Sequence, residues 1–203
     1  MTKRSALLLT AFLLLLILVA WLVGGPSNPV DVAVVRWLMK QRLAHEWLED
    51  VGIGLTMAGS SPTTVGIALL GGAWLLWKDR HHRGLVFAAV ILSGRGMIEL
   101  IKALVGRARP ALDPHPVIVH STSFPSGHSG NSMLALLMAA MILVPERHRR
   151  PAVLLAVLGS VLVGMSRPLL GVHWPSDVIA GWSLGAAWAL GGVAILRRQN
   201  LPR

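Results

Sequence analysis

The sequence predicts an all-α integral membrane bundle of six transmembrane helices, and three observations carry that prediction. Hydrophobic residues make up 54% of the 203-residue chain and charged residues only 14%, whereas a soluble domain carries about 25% charged residues. Six separate segments each supply the roughly 20 mostly apolar residues that a bilayer crossing needs. The basic residues then fall in the connections with an alternation that six crossings explain. The mean hydropathy is +0.63, and the length suits one domain, residues 1–203, around one bundle core.

The first span, Ser5–Gly25, follows Lys3 and Arg4. Its apolar run is too long for a secretory signal and shows no clear small-x-small cleavage site, so it reads as an anchored helix. Between about Pro26 and Thr56, Val35, Met39, Leu43 and Trp47 recur every four residues beside Arg36, Lys40, Glu46 and Glu49. That pattern predicts an amphipathic helix, lying at the membrane surface or packed on the bundle. The second and third spans are Met57–Trp77 and Gly84–Val105. The fourth, Ser126–Val144, has Ser123 as a candidate N-cap and Pro125 near its first turn. The fifth is Ala152–Leu170, and the sixth, Ser176–Leu196, opens after Pro175. Gly181 and Gly185 in the sixth have the small-xxx-small spacing of close helix packing. Trp21, Trp74, Trp77 and Trp174 stand near helix ends, as an interfacial belt would.

Charge orients the bundle. Lys3 and Arg4, then Lys78, Arg80 and Arg83, then Arg147, Arg149 and Arg150, then Arg197, Arg198 and Arg203 all fall on one side if the chain crosses six times. These are eleven of the nineteen Lys and Arg, which makes that side cytoplasmic and puts both termini there. The net charge of +10 therefore suits anionic lipid headgroups. No basic face interleaved with aromatics lies outside the loops, so nucleic acid is not an expected partner. With no Cys, disulfides and thiolate chemistry are excluded. None of these features encodes an oligomeric state.

Basic residues should be sparse on the outer side, yet Lys102, Arg107, Arg109 and Arg167 gather at the outer ends of the third and fifth spans. Breaks in a local rule tend to mark function. Pro125, Ser126, Gly127 and His128 open the fourth helix beside them, and a helix start with a glycine is an anion site. Three of these cations and a helix N-terminus converging on one point suit a phosphate. His173 lies just before the sixth helix and Asp177 in its first turn. Asp177 can accept from one imidazole nitrogen and leave the other free to attack. His128 is then available as the general acid.

These residues carry a resemblance. Lys102 with Arg109 and Pro110, then Pro125 to His128, then Ser166 and Arg167 with His173 and Asp177, resemble in order and spacing the three signature motifs of the type 2 phosphatidic acid phosphatase family of membrane lipid phosphatases. The six-helix reading is similar to that family's fold. The resemblance implies a phosphohistidine on His173, orientation of His173 by Asp177, and proton transfer by His128. It implies that Lys102, Arg109, Arg167, Ser126 and Gly127 hold the phosphoryl oxygens, and that neither metal nor other cofactor is required. A lipid phosphate is the expected substrate, taken from surrounding membrane lipid at the outer face of an inner membrane. Polyprenyl diphosphate, phosphatidylglycerol phosphate, phosphatidate and diacylglycerol diphosphate all fit, the first two foremost. A phosphotransferase passing the group to another lipid, and a non-enzymatic lipid-binding or transport bundle, are the alternatives.

Other polar groups get simpler readings. Arg95 and Glu99, four residues apart in the third span, are expected to form a structural ion pair. Arg107 matches no motif position and is expected to face solvent or headgroups. His115 and His120 are expected to be loop histidines rather than metal ligands, and His81 and His82 lie on the other side.

Overall fold

The computed structural model describes residues 3–112, 116, 117, 119 and 121–198. His115 and His120 lie outside the described residues. Among those described, the chain is all helical with no strand. The helices are α1 (Lys3–Val23), α2 (Pro29–Ala44), α3 (Trp47–Ala58), α4 (Ser61–Trp77), α5 (His81–Val105), α6 (Gly127–Ile142), α7 (Glu146–Leu169) and α8 (Pro175–Arg198).

Local chemistry sets the boundaries. The Asn28 side chain accepts from the Val30 and Asp31 amides and Pro29 occupies the first turn, so α2 starts there. Ser60 caps α4 in the same way, with Pro62 in the first turn. Gly106 ends α5 in the left-handed region at φ 63°, which suits a residue without a Cβ.

The centre of the bundle is α6, which packs against α3, α4, α5, α7 and α8. Leu134 and Met138 on α6 meet Leu75, Phe87 and Ile91 in one apolar cluster. Around that cluster the polarity is inverted relative to a soluble protein. Ser129, Ser132, Ser160, Ser166 and Thr64 are buried, whereas Leu15, Leu70, Leu104 and Leu155 point outward. Buried hydroxyls bond across helices, as Ser132 to Ser160 at 2.9 Å, and the exposed leucines make the surface a lipid-facing one.

Four stretches are long and apolar enough to cross a membrane: Trp47–Trp77, His81–Val105, Glu146–Leu169 and Pro175–Arg197. The first of these joins α3 and α4 across Gly59 and Ser60. All six segments read from sequence coincide with helices, namely α1, α4, α5, α6, α7 and α8. Length separates two of them from the rest. The described apolar part of α1 is Leu8–Val23, and α6 has 16 residues, about 24 Å at 1.5 Å per residue, against a hydrocarbon core of about 30 Å.

The connection between the first two spans differs from expectation. It holds two helices, broken at His45. The four-residue stripe is also split. Val35 and Met39 are buried against Trp174, whereas Leu43 and Trp47 are exposed. The α2 half of the stripe is thus packed on the bundle. Trp174 is consequently no belt residue. It is 2% exposed, and its indole donates to the Ala108 carbonyl at 2.9 Å. Trp21, Trp74 and Trp77 do face outward.

The glycine spacing in α8 serves contact with α6. A Cβ on Gly181 would lie 2.5 Å from the Ser126 carbonyl oxygen and 3.1 Å from the Gly130 nitrogen. Both are backbone atoms and cannot rotate away. Gly181→Ala should therefore lower stability, because overpacking of about 1–3 kcal/mol or more outweighs a helix-propensity gain of at most about 1 kcal/mol. Thermal unfolding of detergent-purified protein checks the sign, and a higher midpoint would contradict this packing.

Candidate active site

At the end of the bundle where α5 and α7 finish and α6 and α8 begin, the connecting segments fold over one another. Gly106 turns the chain out of α5, and the Ser123 amide then donates to the Arg107 carbonyl at 2.8 Å. This brings the 121–126 segment back across the top of α5. The peptide bond between Phe124 and Pro125 is cis. At the end of α7, Gly171 adopts φ 74°, and the Val172 amide donates to the Arg167 carbonyl at 3.1 Å. His173 is thereby carried over the same point.

A cavity of about 210 Å³ opens there. Lys102, Arg109, Gly127, His128, Arg167 and His173 all line it. Residues from three helices and two connections, spread over 72 positions of sequence, therefore share one wall. Lys102 and Arg167 are 5% and 2% exposed. The Lys102 ammonium donates to the Thr122 carbonyl at 2.9 Å. Arg167 donates to the Thr56 hydroxyl, while its Nε is buried with no protein partner. Unsatisfied buried guanidinium is costly, and an acceptor oxygen there would offset that cost.

Arg109 grips the frame with most of its donors. It donates to the Ser121 carbonyl at 2.7 Å and the Val172 carbonyl at 2.5 Å. One of its terminal nitrogens also lies 3.0 Å from His173 Nε2. An arginine can only donate. Nε2 must therefore present its lone pair, and the ring proton sits on Nδ1. Burial, followed by the charges of Arg109, Lys102, Arg167 and His128, pushes the His173 pKa well below 6.5. Burial likewise pushes Arg109 below its ordinary value, with Asp177 opposing the shift.

Behind His173 the protein holds Nδ1. It lies 3.5 Å from Asp177 Oδ2 and 3.3 Å from Ser123 Oγ. Ser123 in turn donates to Asp177 Oδ2 at 2.5 Å, so its remaining lone pairs can accept from Nδ1–H. Ser123 bridges imidazole and carboxylate. It is not the N-cap of α6; that position belongs to Ser126. The Trp174 amide adds a third donor to Asp177 Oδ2 at 3.0 Å. The fourth is Arg107, whose side chain is 8% exposed and donates to Asp177 Oδ1 at 2.8 Å. Arg107 is thus buried structure rather than a solvated or headgroup-facing cation.

Two further expectations change. Ser126 is fully buried and does not line the cavity. Its amide donates to the Asp177 carbonyl at 2.9 Å and its hydroxyl accepts from Ser129 at 2.8 Å. It anchors the start of α6 to α8 and leaves Gly127 and His128 at the wall. Arg95 and Glu99 form no ion pair. Arg95 donates to Ser61 Oγ at 2.5 Å, and Glu99 borders the cavity. Asn131 also reaches the wall, one turn below Gly127, with a buried Oδ1 that has no partner.

The arrangement places two imidazoles and three cations on the wall of one cavity, with His173 Nε2 accepting from Arg109. Residues 83–201 match the PAP2 superfamily. The chain is 33% identical to phosphatidylglycerophosphatase B of Bacillus subtilis over 86% of its own length and 87% of the relative's. It is 28% identical to an undecaprenyl-diphosphatase of Sulfolobus acidocaldarius, over 89% and 85% of the two chains. It is 29% identical to a lipid A 1-phosphatase of Rhizobium etli, over 88% and 78%. Among solved structures, it superimposes with a TM-score of 0.84 on the transmembrane PAP2 type phosphatidylglycerolphosphate phosphatase from Bacillus subtilis, at 29% identity and 98% of each chain.

Proposed function

This chain belongs to the PAP2 superfamily, and on that premise we propose that it is a lipid phosphatase that removes the terminal phosphate of phosphatidylglycerol phosphate through a phosphohistidine. The placement of His173 Nε2 at the cavity wall with Lys102, Arg109 and Arg167 carries this reading. The substrate follows the names of the full-length relatives. Polyprenyl diphosphate is the second reading, favoured by the undecaprenyl-diphosphatase similarity.

In the first half-reaction, His173 Nε2 attacks phosphorus and the bond to the lipid oxygen breaks. His128, which lines the same cavity, serves as the general acid and gives a proton to the departing oxygen. Asp177 and Ser123 hold Nδ1–H and stabilise the positive charge that develops on the ring. In the second, neutral His128 takes a proton from water, the water oxygen bonds to phosphorus, and the P–N bond electrons return to Nε2. The phosphoryl oxygens are held by Lys102, Arg109, Arg167 and the backbone at Gly127, with Ser126 securing the helix start. Charge stabilisation and positioning must supply most of the rate, since acid–base help contributes about 10²–10⁴-fold of accelerations that reach ~10²¹ for such esters.

The proposed topology has six crossings, by α1, α4, α5, α6, α7 and α8. Both termini are cytoplasmic, and the cavity faces the outer leaflet, where a lipid enters laterally between helices. The charge distribution supports it. Residues 1–203 act as a single domain. No part of the mechanism calls on a metal.

The test is phosphate release by detergent-purified protein in EDTA from phosphatidylglycerol phosphate, undecaprenyl diphosphate, phosphatidate and lipid A. Release in EDTA with phosphatidylglycerol phosphate preferred is expected. Dependence on added metal, or transfer to another lipid without free phosphate, would overturn the mechanism.

The pH dependence has a definite sign. With its pKa pushed below 6.5, His173 keeps its lone pair at pH 6.5 and loses it only as pH falls further. The acid limb of kcat/KM should therefore lie below pH 6.5. A limb at or above 6.5 that stays put when the ionisation of the substrate phosphate is changed would contradict this state of His173.

A further inference from the structure

The opposite end of the bundle holds a second cationic cavity. It lies where α4 passes into α5 and α6 into α7, and its volume is about 360 Å³. Lys78, Arg80, Arg83 and Arg149 line it together with Trp74, Leu75, Ile142, Leu143, Val144 and Pro145. No acidic residue lines it among those described.

Two features make it more than a basic rim. The Nε atoms of both Arg83 and Arg149 are buried without a protein partner. The Arg149 side chain as a whole is 30% exposed, but each buried Nε–H is withdrawn from water and lacks a compensating acceptor. The nearest anion to Arg149 is Glu146, 3.7 Å away on a side chain 90% exposed, which leaves most of its charge to water. The residues just before α5 and α7, Arg80 and Pro145, both line the cavity, and neither caps its helix through a side chain. Two helix starts, of 25 and 24 residues, thus aim their positive ends at the space the arginines surround. The apolar side of the cavity is continuous with a membrane-facing surface. Trp74 is half-exposed, and Leu70 and Leu85 are exposed one turn away.

We infer that this cavity binds the phosphate of an anionic phospholipid, with the guanidinium groups of Arg83 and Arg149 on its oxygens and the acyl chains along α4 and α5. The ligand is a phosphodiester at the membrane face away from the candidate active site. It is a resident lipid rather than a substrate. By spanning the α4–α5 and α6–α7 connections it would brace α6, whose other end carries His128.

Native mass spectrometry of the full chain in detergent tests this, with phosphatidylglycerol, phosphatidylcholine of the same acyl chains, and inorganic phosphate as probes. The wild type should retain phosphatidylglycerol over phosphatidylcholine, and Arg83→Gln with Arg149→Gln should weaken phosphatidylglycerol about tenfold or more. Equal retention of the two lipids, or undiminished phosphatidylglycerol binding by the double variant, would overturn the site. Displacement of phosphatidylglycerol by inorganic phosphate at equal concentration would overturn the lipid assignment. If the double variant does not fold, Lys78→Gln with Arg80→Gln alters only exposed side chains, and there an unchanged phosphatidylglycerol affinity would count against the proposal.

Discussion

Replacing His173 with alanine should lower phosphate release roughly 10⁴-fold or more, the scale on which an enzyme loses activity with its covalent nucleophile. Arg109 faces Nε2 as a donor, so Nε2 carries the lone pair, and His173 lines the cavity. Ser123 and Asp177 face Nδ1 from behind. No other described cavity residue has a nitrogen held this way. His128 also lines the wall, but no carboxylate lies within ion-pair distance of its ring. Folding should survive, because the Asp177 carboxylate keeps Ser123, Trp174 and Arg107 as donors when the imidazole is removed. Measured together, phosphate release and the thermal midpoint separate chemistry from collapse. Loss of release with a midpoint near the wild type supports the nucleophile. A variant that folds and still turns over within about tenfold, no more than one lost hydrogen bond would cause, would remove His173 from that role.

Much of this was legible in the residues themselves. Long apolar runs punctuated by Pro, Gly and basic clusters gave six helices in the right places, because bilayer length and turn chemistry are both local properties. The converging cations and histidines were legible for a related reason. A bundle of antiparallel helices brings alternate helix ends together, so charges at those ends must meet. The remainder depended on tertiary contacts. Ser123 sits three residues ahead of the α6 cap, and local rules favour it as a cap. Only the return of residues 121–126 over α5 gives it Asp177 as a partner. Trp174 looks interfacial in sequence because it stands at a helix end, but α2 folds down over it.

Arg107 is the sharpest of these cases, and its removal should be the most damaging change outside the cavity. Its guanidinium donates to Asp177 Oδ1 at 2.8 Å and Ser176 Oγ at 3.1 Å. It also donates to the Ala20 and Trp21 carbonyls at 3.0 and 2.7 Å, and it lies 4.5 Å from the centre of the Phe124 ring. One side chain thus joins the end of α1, the 121–126 segment and the start of α8. Asp177 is fully buried, so Arg107→Ala leaves an uncompensated carboxylate and should cost about 3–5 kcal/mol. Turnover should fall as well, because Asp177 is then free to take a proton or rotate from His173. Arg107→Lys can keep the ion pair but cannot reach four acceptors from a single ammonium, so it should fall between wild type and alanine. The discriminating variant is Arg107→Ala with Asp177→Asn. If the buried charge is the source of the damage, neutralising it should restore part of the thermal midpoint while leaving phosphate release low. Equal midpoints for the single and double variants would instead assign the effect to the lost contacts with α1 and Phe124.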